Sequence, residues 1–118
     1  MKVPFAIEIV QDGDVSVVGL SGELDISTTD QFFDATVDLV DAGRRHVVAD
    51  LTRLTFCDSS GLGTIVKLRK IVDDAGGELL LARPSVMVAG LLELTGLDRV
   101  VRVFPTPEAA VGAVTHAR

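Results

Sequence analysis

Short apolar runs and longer segments of helical periodicity alternate along this chain, and this alternation constrains its fold more than any other feature. Residues 46–51 form a nearly continuous apolar run, which is typical of a central strand buried on both faces. After it, Leu62, Ile65 and Leu68 recur at helical spacing. Repeated units of this kind predict parallel strand pairing through right-handed crossovers.

The full order of predicted elements is ββαβαβαβα. An opening hairpin joins strands 5–10 and 15–20 through the turn signal at Asp12 and Gly13. The other strands are predicted at 46–51, 78–82 and 100–104. The helices are predicted to begin after the polar segment 27–29, near Ser59, at Pro84 and at Thr106, and Gly43 is expected to end the first of them. The chain is therefore predicted to be a single α/β domain over residues 1–118, with a mixed, mostly parallel sheet flanked by helices.

Charge and hydropathy exclude several classes of function. Seventeen acidic and eleven basic residues give a net charge of −6, whereas binding a nucleic-acid backbone requires a basic footprint. The short basic run 44–46 is interpreted as a solvated turn. The first residues lack the apolar run of a signal peptide, and no stretch reaches the roughly 18 apolar residues of a membrane span. A cytoplasmic location and no membrane partner are expected.

The residue types needed for catalysis or metal binding are not arranged for either. His46 and His116 are the only histidines, and neither stands at metal-ligand spacing from an Asp or Cys pair. The sequence has no G-x-S-x-G elbow, Walker A loop or complete dinucleotide-binding glycine motif. The lone Cys57 follows an apolar residue and is interpreted as a small buried hydrophobe. We expect no enzyme activity, no metal and no cofactor.

The segment from Cys57 to Gly63 is the sharpest local feature. It follows a buried strand and opens a helix, which places Ser59 at or near the N-cap, where free N–H groups and the helix dipole favour an anion. Gly61 and Gly63 remove side chains from the first turn, which would let another protein approach closely. Capping by Ser59 and Ser60 alone is the simpler interpretation, because Asp-Ser-Ser before a helix is common capping chemistry.

Asp25 is the second candidate. It ends the segment Gly22-Glu23-Leu24-Asp25, at the carboxyl end of a predicted strand, where open α/β sheets collect functional residues. An Asx-type turn is the alternative explanation for this residue.

With these segments in view, the chain resembles the STAS-domain anti-sigma factor antagonists of bacteria. The resemblance covers nearly all of the sequence. It rests on three motifs in order: Gly22-Glu23-Leu24-Asp25, the run from Leu54 to Gly63, and Leu94-Thr95-Gly96-Leu97.

That resemblance implies a regulatory binding protein. The unphosphorylated form would bind an anti-sigma factor that is also a serine kinase and release a sigma factor. Phosphorylation of Ser59, favoured by the motif over Ser60, would switch binding off, and a serine phosphatase would reset the protein. The implied partner surface comprises six residues: Asp25, Asp58, Ser59, Ser60, Gly61 and Leu62.

The same scaffold supports other functions. A STAS module that senses a small ligand, holds a signalling complex together or serves as the soluble subunit of a lipid transporter is the alternative.

Overall fold

The computed structural model describes the backbone of residues 3–116 and the side chains of residues 3–114. A five-stranded sheet runs in the order β1-β2-β3-β4-β5. Its strands are β1 (Ala6–Asp12), β2 (Val15–Leu24), β3 (His46–Cys57), β4 (Glu78–Ala82) and β5 (Val103–Phe104). The helices are α1 (Thr29–Asp41), α2 (Ser59–Asp74), α3 (Val86–Thr95) and α4 (Pro107–His116), with a 3-10 turn at Leu97–Arg99.

The pairing confirms the predicted fold class. β1 is antiparallel to β2, and the remaining pairs are parallel. The opening turn consists of Gly13 and Asp14, because Asp12 pairs with Val15. Only Gly13 has a positive φ, +60°, so a single glycine provides the conformation that the turn requires.

Two cores of unequal size lie on the two faces of the sheet. The main core joins the sheet to α1, α2 and α3, and its helix residues include Phe32, Ile65, Leu68, Val88 and Leu92. The smaller core places Ala110 and Val114 of α4 against Val15, Val48 and Leu80. The helices therefore cover one face of the sheet from β2 onward and only part of the other.

Two sequence predictions about the strands are wrong. The third strand was predicted to end at residue 51, but β3 continues to Cys57. Two bulges in its pairing with β2 place the buried side chains Leu51, Leu54 and Cys57 three residues apart. This spacing hides the alternation of buried and exposed residues that is typical of a strand. The last strand was predicted at 100–104, but only Val103–Phe104 pairs, because the preceding residues form the 3-10 turn and its exit.

The basic run also differs from its prediction as a solvated turn. Arg44 is half-buried, and its guanidinium donates hydrogen bonds to the carbonyl of Gly13 at 2.8 Å and to the hydroxyl of Ser16 at 3.1 Å. Gly43, predicted to end α1, has φ +88° and completes a Schellman motif in which the Arg44 N–H donates to the Leu39 carbonyl. Arg44 is thus a structural residue that holds the β1–β2 hairpin.

The glycine pair after α2 permits a close backbone contact that can be tested. A Cβ on Gly77 would overlap the carbonyl of Arg45, which accepts the N–H of Glu78 at 3.0 Å. We expect Gly77→Ala to lower the free energy of unfolding by about 1–3 kcal/mol, as overpacking does. The matched control is Gly90→Ala in α3, where a Cβ meets open space and the helix gains about 0.5–1 kcal/mol. Urea unfolding of both variants would contradict this account if Gly77→Ala were neutral.

Candidate functional site

The predicted site residues meet where β2 ends and α2 begins. The parallel register places Leu24 opposite Cys57, so the residues that follow each strand emerge side by side. The backbone N–H of Asp58 donates to the carbonyl of Leu24 at 3.2 Å, which ties the two chain segments together. Asp25 and Ser59, far apart in sequence, therefore lie at one edge of the sheet.

Asp58, rather than Ser59, caps α2. Asp58 has extended backbone angles, and its carboxylate accepts the N–H of Gly61 at 3.0 Å. Ser59 is consequently the first helical residue, which corrects the alternative that the two serines cap the helix.

Ser59 itself is exposed, and no hydrogen bond occupies its hydroxyl within the described residues. Its side chain therefore faces solvent at the positive end of the α2 dipole. Ser60 is half-buried, and its carbonyl accepts a hydrogen bond from the Thr64 hydroxyl at 3.0 Å.

Gly61 has a different role from the one expected. It is buried, and a Cβ there would lie 2.6 Å from the sulfur of Cys57 and 2.9 Å from the carbonyl of Leu24. Its missing side chain lets α2 approach β2 and does not open the surface. Gly63 does have open space around it, and Leu62 is half-buried beside it.

Cys57 is confirmed as a buried hydrophobe, with 1% of its surface exposed. Burial first, and the charge of Asp58 second, raise the pKa of its thiol to about 11. The sulfur is therefore protonated at neutral pH and is not a nucleophile.

Asp25 forms the Asx-type turn that was its alternative interpretation. Its carboxylate accepts hydrogen bonds from the Ser27 N–H at 2.9 Å and from the Ser27 hydroxyl at 2.6 Å. The turn leaves Ile26 at its tip with 79% of its surface exposed. A cavity of about 230 Å³ separates this loop from the segment formed by Val3, Pro4 and Phe5.

Two exposed apolar side chains at the start of α3 were not identified from the sequence. Val86, the first residue of α3, is 92% exposed, and Met87 beside it is 48% exposed. α2 and α3 follow neighbouring parallel strands and cover the same face, but β4 ends at Ala82 opposite Asp50, whereas β3 continues to Cys57 before Ser59 begins its helix. The sequence left the faces of this helix unassigned, and the packing shows that these two residues face solvent.

A larger cavity, of about 550 Å³, lies on the opposite face of the sheet beside the start of α4. Its lining includes Gly19, Asp50, Arg53, Arg83 and Glu108 and none of the predicted site residues.

The described residues hold no cluster of three or more His, Cys, Asp or Glu side chains able to bind a metal ion. The side chain of His116 lies outside the described residues. Among helices of residues 3–116, none has the length and apolarity that crossing a bilayer requires.

Comparison with known proteins agrees with this geometry. The sequence matches the STAS domain family over residues 6–110. The chain belongs to this family. It is 34% identical over 102 residues to the anti-sigma F factor antagonist of Paenibacillus polymyxa, covering 83% of this chain and 85% of that one.

Solved structures of STAS proteins share its fold. A crystal structure of an anti-sigma factor antagonist from Mycobacterium paratuberculosis has a TM-score of 0.88 at 26% identity, covering 98% of this chain and 99% of that one. The Bacillus cell fate determinant SpoIIAA in its phosphorylated form has a TM-score of 0.71 at 26% identity, covering 94% of this chain and 99% of that one.

The cap formed by Asp58 can be tested separately from any partner. We expect Asp58→Ala to lower the free energy of unfolding by about 1 kcal/mol, because the N–H of Gly61 loses its acceptor. Asp58→Asn retains an acceptor of similar strength and should stay within a few tenths of a kcal/mol of the parent. Chemical denaturation measures both. An equal loss in both variants would assign the effect to the charge of Asp58 instead of its hydrogen bond.

Proposed function

We propose that this protein is an anti-sigma factor antagonist, a regulator without enzyme activity. In this proposal its unphosphorylated form binds an anti-sigma factor serine kinase in the cytoplasm and so releases a sigma factor. The observation that carries the proposal is the exposed, unbonded hydroxyl of Ser59 at the first position of α2. A kinase active site can reach such a hydroxyl without unfolding the helix.

The proposed partner surface surrounds that hydroxyl. It comprises Asp25, Asp58, Ser59, Ser60 and Leu62. Gly61 is buried beneath these residues and lets α2 lie close to β2. The family membership and the relatives' names support this role, and the proposed resetting enzyme is a serine phosphatase.

Phosphorylation would act on the interface and leave the fold unchanged. A phosphoserine carries about −1.5 to −2 charge, and the dipole of α2 favours that charge at the helix N-terminus. A partner docked over Ser59 would have to desolvate the phosphate beside the carboxylates of Asp25 and Asp58. The likeness of this chain to SpoIIAA in its phosphorylated form is consistent with a fold that tolerates the modification.

The switch predicts a specific effect of negative charge at position 59. Ser59→Asp should weaken binding to the cognate kinase by about fivefold or more, which corresponds to at least about 1 kcal/mol. Ala109→Asp adds the same charge at an exposed position in the first turn of α4, on the opposite face of the sheet, and should leave the affinity unchanged. Calorimetric titration in the presence of ADP measures both affinities. Equal affinity of Ser59→Asp and the parent would overturn the mechanism.

Phosphate transfer provides a second readout on the same samples. Ser59→Ala should bind the kinase but accept no phosphate from ATP, whereas Ser60→Ala should still be phosphorylated. Intact-protein mass spectrometry distinguishes these outcomes. Phosphate on Ser59→Ala and none on Ser60→Ala would assign the acceptor to Ser60.

The apolar start of α3 is proposed as a part of the same partner surface. Val86 is almost fully exposed and begins the helix that follows β4, the strand beside β3 in the sheet. Burying such a side chain in an interface contributes about 1–2 kcal/mol. We expect Val86→Lys to weaken kinase binding by about tenfold without changing the thermal unfolding midpoint by more than about 2 °C. Val100→Lys, at a half-exposed position after the 3-10 turn, is the control. Unchanged binding of Val86→Lys would remove α3 from the surface.

A further inference from the structure

The two edges of the sheet are protected very differently. β5 is two residues long and is followed by Pro105, which has no N–H to offer a neighbouring strand. β1, at the other edge, has seven residues in unbroken register with β2 and contains no proline, bulge or basic residue. Among residues 3–116, no strand pairs with its outer side. β1 thus offers an open template for another strand.

The hairpin determines which groups of β1 point outward. Asp12 and Val15 flank a two-residue turn and so exchange both of their backbone hydrogen bonds. Because this arrangement alternates along an antiparallel pair, the backbone N–H and C=O groups of Ile7, Ile9 and Gln11 face away from β2.

We propose that this edge is a dimer interface in which β1 pairs antiparallel with β1 of a second copy, centred on Ile9. In that register Ile9 lies opposite Ile9 of the other copy, and Ile7 lies opposite Gln11. The two Ile7–Gln11 pairs and the Ile9 pair are all hydrogen-bonded, so three pairs with two bonds each give six backbone hydrogen bonds. The result is a continuous sheet of ten strands.

Charge selects this register over its neighbours. Sliding the second strand by two residues in one direction would place Glu8 opposite Glu8 of the other copy. Sliding it by two residues in the opposite direction would place Glu8 opposite Asp12. Both put like charges in direct cross-strand contact, which is destabilising. In the register centred on Ile9, Glu8 faces Val10 and Asp12 faces Ala6, so no carboxylates are opposed.

Side-chain exposure agrees with the same register. Ile9 is 41% exposed and Val10 is 52% exposed, although both belong to a regular strand. Ile9 lies on the face that carries the main core, and Ile9 of the second copy would cover it there. Val10 lies on the other face, beside the aliphatic part of Glu8 from the second copy.

The two-fold axis of such a dimer is normal to the sheet. The parallel strands of the two copies then run in opposite directions, so the two edges that carry Ser59 and Asp25 point away from each other. Each copy keeps its partner surface open, and the interface involves none of the residues of the proposed phosphorylation switch.

The oligomeric state of the unphosphorylated full chain tests the proposal. Sedimentation velocity over a range of concentrations should give a species of twice the 12.5 kDa chain mass. Ile9→Lys should give the monomer with an unchanged circular dichroism spectrum, because two ammonium groups would meet at the axis. Val86→Lys, which changes an exposed apolar residue on α3, should stay dimeric. A monomer at every concentration, or a dimer lost in Val86→Lys and kept in Ile9→Lys, would overturn the proposal.

Disulfide trapping tests the register itself. At a hydrogen-bonded antiparallel pair the two Cα atoms are about 5.5 Å apart, within the range that a disulfide spans. Ile9→Cys should therefore form a covalent dimer under mild oxidation, reversible by a reducing agent. Glu8→Cys should not, because its two copies stand about two residues apart along the strands. Cross-linking of Glu8→Cys in preference to Ile9→Cys, or of the parent through Cys57, would contradict this register.

Discussion

The contact between the first turn of α2 and the end of β2 is the interaction on which the rest of the site depends. Asp58 links the two elements, since its N–H bonds to the Leu24 carbonyl of β2 while its carboxylate caps α2. Gly61 permits the contact, because a side chain there would strike both Leu24 and Cys57. Since this backbone is fixed by hydrogen bonds on both sides, Ser59 and the Asp25 turn keep their relative positions without any ligand. A partner docking here would meet a surface that is already ordered, so little conformational entropy would be lost on binding.

A rigid, preformed surface suits control by charge. If phosphorylation had to unfold part of the domain, it would need to overcome the burial of Leu24, Cys57 and Ile65 beneath the site. A phosphate at the first position of α2 would instead be stabilised by the positive end of the helix dipole. Phosphorylation would therefore destabilise the complex with the partner, in which the phosphate would lose its hydration, and not the free domain. The location of Ser59 outside the cap is important here, because the hydroxyl proposed as the phosphate acceptor is not the group that caps the helix.

The sequence was sufficient to predict the fold class, because each buried strand and each amphipathic helix carries its own local pattern. It was insufficient wherever two distant segments decide the outcome. The bulges that pair residues 52–57 with β2 make a strand look like a loop, since they change the spacing of Leu51, Leu54 and Cys57. Arg44 looks like part of a solvated turn until the hairpin that it bonds is placed beside it. The burial of Gly61 and the exposure of Val86 could not be predicted for the same reason, because each depends on neighbours far along the chain.

The position of β1 would allow one small domain to make both proposed contacts independently. Successive strands are about 4.8 Å apart, so β1 and β3 are separated by roughly 10 Å across β2. At physiological salt, charges are largely screened beyond about 8 Å. A phosphate on Ser59, at the carboxyl edge after β3, therefore has little electrostatic effect on the middle of β1. The residues that would set the proposed pairing of β1 are its own alternating Ile and Glu side chains, whereas those of the proposed switch follow β2 and β3. The proposed association through β1 and the proposed partner exchange at Ser59 would thus be separable properties of the same sheet.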